Sequence, residues 1–221
     1  MSEISQVKNF VSKNTLRSII DGFDKLRINT SDPFVDTFNG SIMLVAENSV
    51  LGVLSQAQSG LNDADYEKYK QGNAAMNYAI NLQSEELSRF YGKSLKQRFL
   101  NYIVTKVGGG YDGYHVDSIT ENGEARMPQG MPIDKWNIFS KKQTNPNSYW
   151  HSSILYLNDD YQGGEIEFKD SKLIKPTAGE LVYFVGDGET EHGVRRVISG
   201  ERHALVSFYW DEESHNLYNS I

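Results

Sequence analysis

His115 and Asp117 stand two residues apart, His192 follows far downstream, and Arg202 lies ten residues beyond it. Residues i and i+2 of a strand face the same side. If residues 113–118 are extended, His115 and Asp117 can grip one ion, and His192 can complete the set from another strand. Two imidazoles and a carboxylate form a donor set that suits non-haem Fe(II), with coordination positions left open for other ligands. Arg202 leads the run Arg-His-Ala-Leu-Val-Ser-Phe-Tyr-Trp, residues 202–210. A guanidinium at the head of an inward-facing strand is costly to bury without an acid partner, and its fork suits a carboxylate. Tyr156 sits in the apolar run Ile-Leu-Tyr-Leu, residues 154–157. A buried tyrosine needs a partner for its hydroxyl, so one ligand carboxylate would serve both.

Taken singly, each of these residues also fits an ordinary role. His115 could sit at the tip of a glycine-rich turn and Asp117 could cap a strand end. His192 could be a satisfied or exposed histidine, Arg202 an exposed edge residue, and Tyr156 part of the core. Their co-occurrence is what points to a site. His203 alternates away from Arg202 on a regular strand and reads as surface or packing. Gly108-Gly109-Gly110 is not a phosphate loop, because no Lys-Ser/Thr follows it.

Composition narrows the classes. The chain has 221 residues, 22 basic and 29 acidic side chains, a formal charge of -7 and no cysteine. The acidic balance argues against nucleic acid as the main partner. Without cysteine there are no disulfides, thiolate ligands or cysteine nucleophiles. The first residues lack a basic stretch leading into an apolar run, so no signal peptide is expected. No run reaches the ~18 apolar residues of a membrane span. A cytoplasmic location is the default expectation, with a bacterium or phage as a compositional guess at origin.

The elements that must position these residues are read from periodicity. Residues 7–11 form a short opening strand. Ser12 is a helix N-cap, and Leu16, Ile19, Ile20 and Phe23 line one helix face, with Gly22 weakening its end. Ser41 to Val45 is a strand or a buried helical turn. Residues 64–82 read as a helix interrupted at Gly72, and Ser84-Glu85-Glu86 starts another that stops at Gly92. From about residue 98, short runs rich in Val, Ile, Tyr and Phe alternate with turn residues. Strands are expected at 101–107, 113–118, 151–157, 164–168, 180–185, 191–197 and 202–210, which suggests a sandwich or jelly roll. The expected organisation is one domain over 1–221. A helical support region (1–97) packs on one sheet of a catalytic core (98–212), and a tail (213–221) follows. The polar stretch 121–147 reads as a long loop, a candidate lid or substrate wall, with Trp136, Tyr149 and Trp150 within or beside it.

Four spans then carry a resemblance: 108–117 (Gly-Gly-Gly-Tyr-Asp-Gly-Tyr-His-Val-Asp), 154–168 (Ile-Leu-Tyr-Leu-Asn-Asp-Asp-Tyr-Gln-Gly-Gly-Glu-Ile-Glu-Phe), 175–184 and 192–209. In this order they resemble the prolyl 4-hydroxylase-like branch of the Fe(II)/2-oxoglutarate dioxygenases. The resemblance implies an α+β, mainly β chain built on a double-stranded β-helix, or jelly roll. It implies Fe(II) on His115, Asp117 and His192, and 2-oxoglutarate on Arg202 with Tyr156 as a second contact. The reaction implied uses O2, releases succinate and CO2, and hydroxylates an unactivated C–H, with L-ascorbate as a candidate reductant. A prolyl residue in a peptide or protein is the substrate implied. A free amino acid or other small molecule is the alternative within the enzymes, and a non-catalytic metal-containing β-sandwich is the alternative outside them. One departure is specific. Many members carry a tyrosine nine residues before the first histidine, where this chain has Lys106. Tyr102 and Tyr111 are the candidates to replace it.

Overall fold

The computed structural model describes residues 3–26, 35–38, 41–47, 56–118, 133–142, 150–169 and 172–221. Its chain order begins with β1 (Ser5–Val7) and α1 (Lys13–Phe23), followed by β2 (Val35–Phe38), β3 (Ser41–Glu47), α2 (Gln56–Ser59) and α3 (Asp63–Tyr91). Then come β4 (Leu95–Thr105), β5 (Tyr111–His115), α4 (Ile133–Lys142), β6 (His151–Tyr156), β7 (Gln162–Gly163), β8 (Ile166–Phe168) and β9 (Leu173–Ile174). The chain closes with β10 (Leu181–Val185), β11 (His192–Val194), β12 (Val197–Ser199), β13 (Arg202–Asp211) and α5 (Glu212–Asn219).

A seven-stranded sheet has the order β1-β10-β6-β13-β4-β3-β2, and a four-stranded sheet the order β5-β11-β8-β9. Every pairing among them is antiparallel. Alternation along the strands divides the large sheet into two faces. Tyr156, Ile154, Val182, Phe184 and Ala204 cluster with Ile166, Phe168 and Ile174 of the small sheet. This is the interior of the jelly roll. Leu155, Leu181, Tyr183, Leu205, Tyr102 and Leu100 point the other way and pack with Leu16, Ile19 and Phe23 of α1 and Met76, Ala79 and Ile80 of α3. The N-terminal helices thus cover one face of one sheet, as the sequence implied.

Ser12 caps α1 by accepting from the Thr15 amide at 3.2 Å. The expected break at Gly72 is absent: α3 runs unbroken for 29 residues, through Ser84, to a left-handed cap at Gly92. Gly72 has a packing role instead. A Cβ there would lie 2.7 Å from the Gly22 Cα, and one on Gly22 would lie 2.6 Å from the Gly72 Cα. The two glycines are where α1 and α3 cross in near contact, so local propensity gives way to helix packing.

Other boundaries also differ from expectation. The opening strand is Ser5–Val7 rather than 7–11, because these residues pair with β10. Ser41–Glu47 is a strand. Within the 121–147 stretch, residues 133–142 are helical. Trp136 and Phe139 of that helix are buried with Phe99, Trp150, Trp210 and Tyr218. Trp136 therefore anchors the helix to the core rather than walling a groove, while Tyr149 lies outside the described residues. The 213–221 tail is largely helix, capped by Asp211 accepting from the Ser214 amide.

Candidate active site

His115 ends β5 and His192 begins β11, and the two are direct partners in that antiparallel pair. Their rings are 4.4 Å apart, centroid to centroid. Asp117 does not lie on a strand, because β5 stops at His115. It reaches the histidines from the bend that follows, with its Oδ1 3.5 Å from His115 Nε2. One ligand atom from each of the three residues falls within 4.8 Å of the others. The sequence-predicted triad is therefore brought together, with the carboxylate on a turn rather than in the register proposed for it.

Asp117 and His192 are each oriented by a neighbour. The Ser152 hydroxyl donates to Asp117 Oδ2 at 2.6 Å. The Ser118 amide donates to the Gly186 carbonyl at 3.2 Å and holds the bend. Gly186 must lack a side chain, since its Cβ would come 2.8 Å from Trp150 and 3.0 Å from the Asp117 Cβ. A 3-10 turn over Gly188–Thr190 presents the Thr190 carbonyl to His192 Nδ1 at 2.9 Å. That bond makes Nδ1 the protonated nitrogen and leaves Nε2 for a metal. Phe184 and Phe168 lie 4.8 and 5.5 Å from the His192 ring and shield it from water. Burial alone would push the Asp117 carboxyl up. The His192 and His115 rings and the Ser152 hydroxyl outweigh it and hold the group well below the usual carboxylate range. Two imidazoles and an ionised carboxylate suit a divalent iron.

Arg202 starts β13 on the interior face, and its guanidinium carbon sits 5.0 Å from the centre of the Tyr156 ring. Both side chains are buried. Arg202 Nε and the Tyr156 hydroxyl have no hydrogen-bond partner among the described residues. The Tyr161 hydroxyl shares that condition. Burial pushes the Tyr156 phenol up and carries the Tyr161 phenol to about 12, with the Arg202 charge opposing both. Asn158 fixes this corner. Its amide donates to the Glu201 carbonyl at 2.7 Å, and its side-chain oxygen accepts from the His203 amide at 2.8 Å, so the 158–161 turn is tied to both flanks of Arg202.

The tyrosine expected to replace position 106 is not Tyr102. That side chain faces the helical layer, where its hydroxyl lies 2.8 Å from His203 Nδ1. His203 is buried there, away from Arg202. Lys106 is exposed beyond the end of β4, and nothing is described of the Tyr111 side chain. Ser152, Thr190 and Tyr161 were not foreseen. Ser152 had a legible signal, since it shares the strand face of Ile154 and Tyr156. Thr190 contributes a backbone carbonyl and Tyr161 is placed by a turn, and neither leaves a periodic trace.

Comparison with known proteins matches this arrangement. A family model described as the 2OG-Fe(II) oxygenase superfamily matches residues 98–210. The chain belongs to that superfamily, and so works with Fe(II), 2-oxoglutarate and O2. It is similar to its prolyl hydroxylases. Prolyl 3-hydroxylase 2 of Rattus norvegicus is 40% identical over 65 residues, which are 27% of this chain and 9% of the relative. The match thus spans under a tenth of that protein's length. The viral collagen prolyl hydroxylase of Paramecium Bursaria Chlorella virus-1, solved with 2-oxoglutarate, superimposes with a TM-score of 0.54 at 15% identity, covering 94% of this chain and 95% of that one. A Trichoplax adhaerens prolyl hydroxylase, solved with a hypoxia inducible factor peptide, gives 0.55 at 14% identity, covering 97% and 86%. These structures share the fold. No described helix is long and apolar enough to cross a membrane.

Proposed function

We propose that the chain hydroxylates a prolyl residue of a peptide or protein. In this reading His115, Asp117 and His192 hold Fe(II), Arg202 and Tyr156 bind the distal carboxylate of 2-oxoglutarate, and the described residues work as one catalytic unit. The observation that carries the reading is the pairing of two features inside one roll. One is a compact two-histidine, one-carboxylate cluster. The other is a buried guanidinium and phenol with unmet donors. An unmet buried donor costs about 1–3 kcal/mol, and a dianionic ligand would relieve both at once.

Bound iron supplies the redox chemistry by which 2-oxoglutarate, O2 and a C–H bond become succinate, CO2 and a C–OH bond. The protein's residues bind, orient and exclude water. Ser152 and the Thr190 carbonyl keep Asp117 and His192 aimed. Phe168 and Phe184 close the roll behind His192. Trp150 packs 5.1 Å from Phe208, and Phe208 is the strand partner of Ser152. Apolar packing thus stands beside Asp117. Support for a prolyl substrate comes from the named relatives, of which one was solved with a peptide.

A turnover screen of proline-containing peptides and small metabolites, read by mass spectrometry for a one-oxygen gain and for succinate, tests the reading. A hydroxylated peptide, lost in His192→Ala, is expected. Oxygen insertion only into a free amino acid would replace the peptide substrate with a small molecule. Absence of succinate with every substrate would sink the assignment of the site.

A further inference from the structure

We infer that Tyr161 is a third binding group for the distal carboxylate of 2-oxoglutarate, its hydroxyl donating beside Arg202 and Tyr156. The inference rests on the anchor proposed above and extends it to a residue on a turn. Tyr161 lies between β6 and β7 and is only 9% exposed. Its hydroxyl is sealed from solvent and has no partner among the described residues.

Two glycines bring it there. A Cβ on Gly164 would lie 2.9 Å from Arg202 Cδ and 3.1 Å from Tyr161 Cε2, so both side chains lean over the same bare backbone. A Cβ on Gly200 would lie 3.0 Å from the Tyr161 Cα. Both glycines have positive φ, 68° and 76°, which a side chain would strain. A phenyl ring at 161 would fill the same space, so packing does not explain the hydroxyl. The guanidinium and both phenols can donate, and Arg202 Nε and both hydroxyls are buried without a hydrogen-bond partner among the described residues. A ligand carboxylate offers about four acceptor positions, enough for the guanidinium and two phenols together. A 2-oxo acid without that second carboxylate would leave the buried donors unmet, so the corner also selects for a dicarboxylate.

The test is calorimetric titration of the full chain loaded with Mn(II), which binds ligands without turnover. 2-Oxoglutarate is compared with 2-oxobutyrate, which lacks the distal carboxylate. Tyr161→Phe should weaken 2-oxoglutarate roughly tenfold to a hundredfold, the range for losing one hydrogen bond to a charged group. It should leave 2-oxobutyrate unchanged. Tyr161→Phe keeps the ring that packs over Gly164, and a melting curve equal to the parent's separates loss of the donor from loss of the fold. Unchanged 2-oxoglutarate affinity, or equal weakening of both ligands, would overturn the role of Tyr161 alone. A parent protein that binds 2-oxoglutarate no better than 2-oxobutyrate would overturn the Arg202 anchor along with it.

Discussion

The Ser152 hydroxyl donates to Asp117 Oδ2 at 2.6 Å and so ties the large sheet to the bend that carries this carboxylate. Ser152 is fully within the roll, on the same face of β6 as Tyr156. One strand therefore steadies the His115, Asp117 and His192 cluster at one end and carries Tyr156 beside Arg202 at the other.

Ser152→Ala should remove that support without disturbing the core, since only a hydroxyl is lost. Partners of this kind are worth about 10–100-fold in metal affinity. Competition of Fe(II) or Mn(II) binding against a chelator should show a loss in that range with an unchanged melting curve. Affinity equal to the parent's would mean that Asp117 is held by the bend alone.

Arg202→Lys keeps the charge but loses the planar fork and its contact with the Tyr156 ring. Lysine is a point charge that cannot reproduce two parallel bonds to a carboxylate. 2-Oxoglutarate affinity should fall by roughly tenfold or more, while metal affinity measured without 2-oxoglutarate stays at the parent value. Equal loss in both measurements would show that Arg202 supports the whole roll instead.

Gly22→Ala and Gly72→Ala each place a methyl group against the backbone of the opposing helix. Neither backbone can yield without separating α1 from α3, so each change should cost about 3 kcal/mol, the upper part of the usual overpacking range. That corresponds to a melting point lower by about 6–12 °C for a chain of this size. Thermal unfolding of the metal-free protein gives the value directly. A shift of a degree or less would contradict the close crossing.

Tyr218→Ala tests the C-terminal helix. The Tyr218 ring stands 3.6 Å over the guanidinium of the fully buried Arg98, and 5.7 Å from Trp210. Removing a buried aromatic ring typically costs 3–5 kcal/mol, and about 3 kcal/mol is expected in a urea melt. An unchanged midpoint would show that α5 is dispensable to the fold.

The donor chemistry and most of the strands are readable along the chain. His115, Asp117, His192, Arg202 and Tyr156 were legible because their types are expensive or reactive where they stand, and because strand alternation projects a face from local order. The Ser12 cap and the Gly92 stop were legible because caps are local hydrogen bonds. Placements that depend on distant partners emerge when the chain packs. Gly72 does not break α3 because Gly22 meets it, a contact between residues fifty apart in the chain. Asp117 reaches its site from a bend because the Gly186 carbonyl and Ser152 hold it there. Tyr102 lies away from Arg202 because β4 turns it toward the helices, and Tyr161 lies near Arg202 because Asn158 and two glycines fold a turn back onto it. Local propensity and period are written along the chain, whereas these placements arise where separate segments exclude one another's volume and satisfy one another's polar groups.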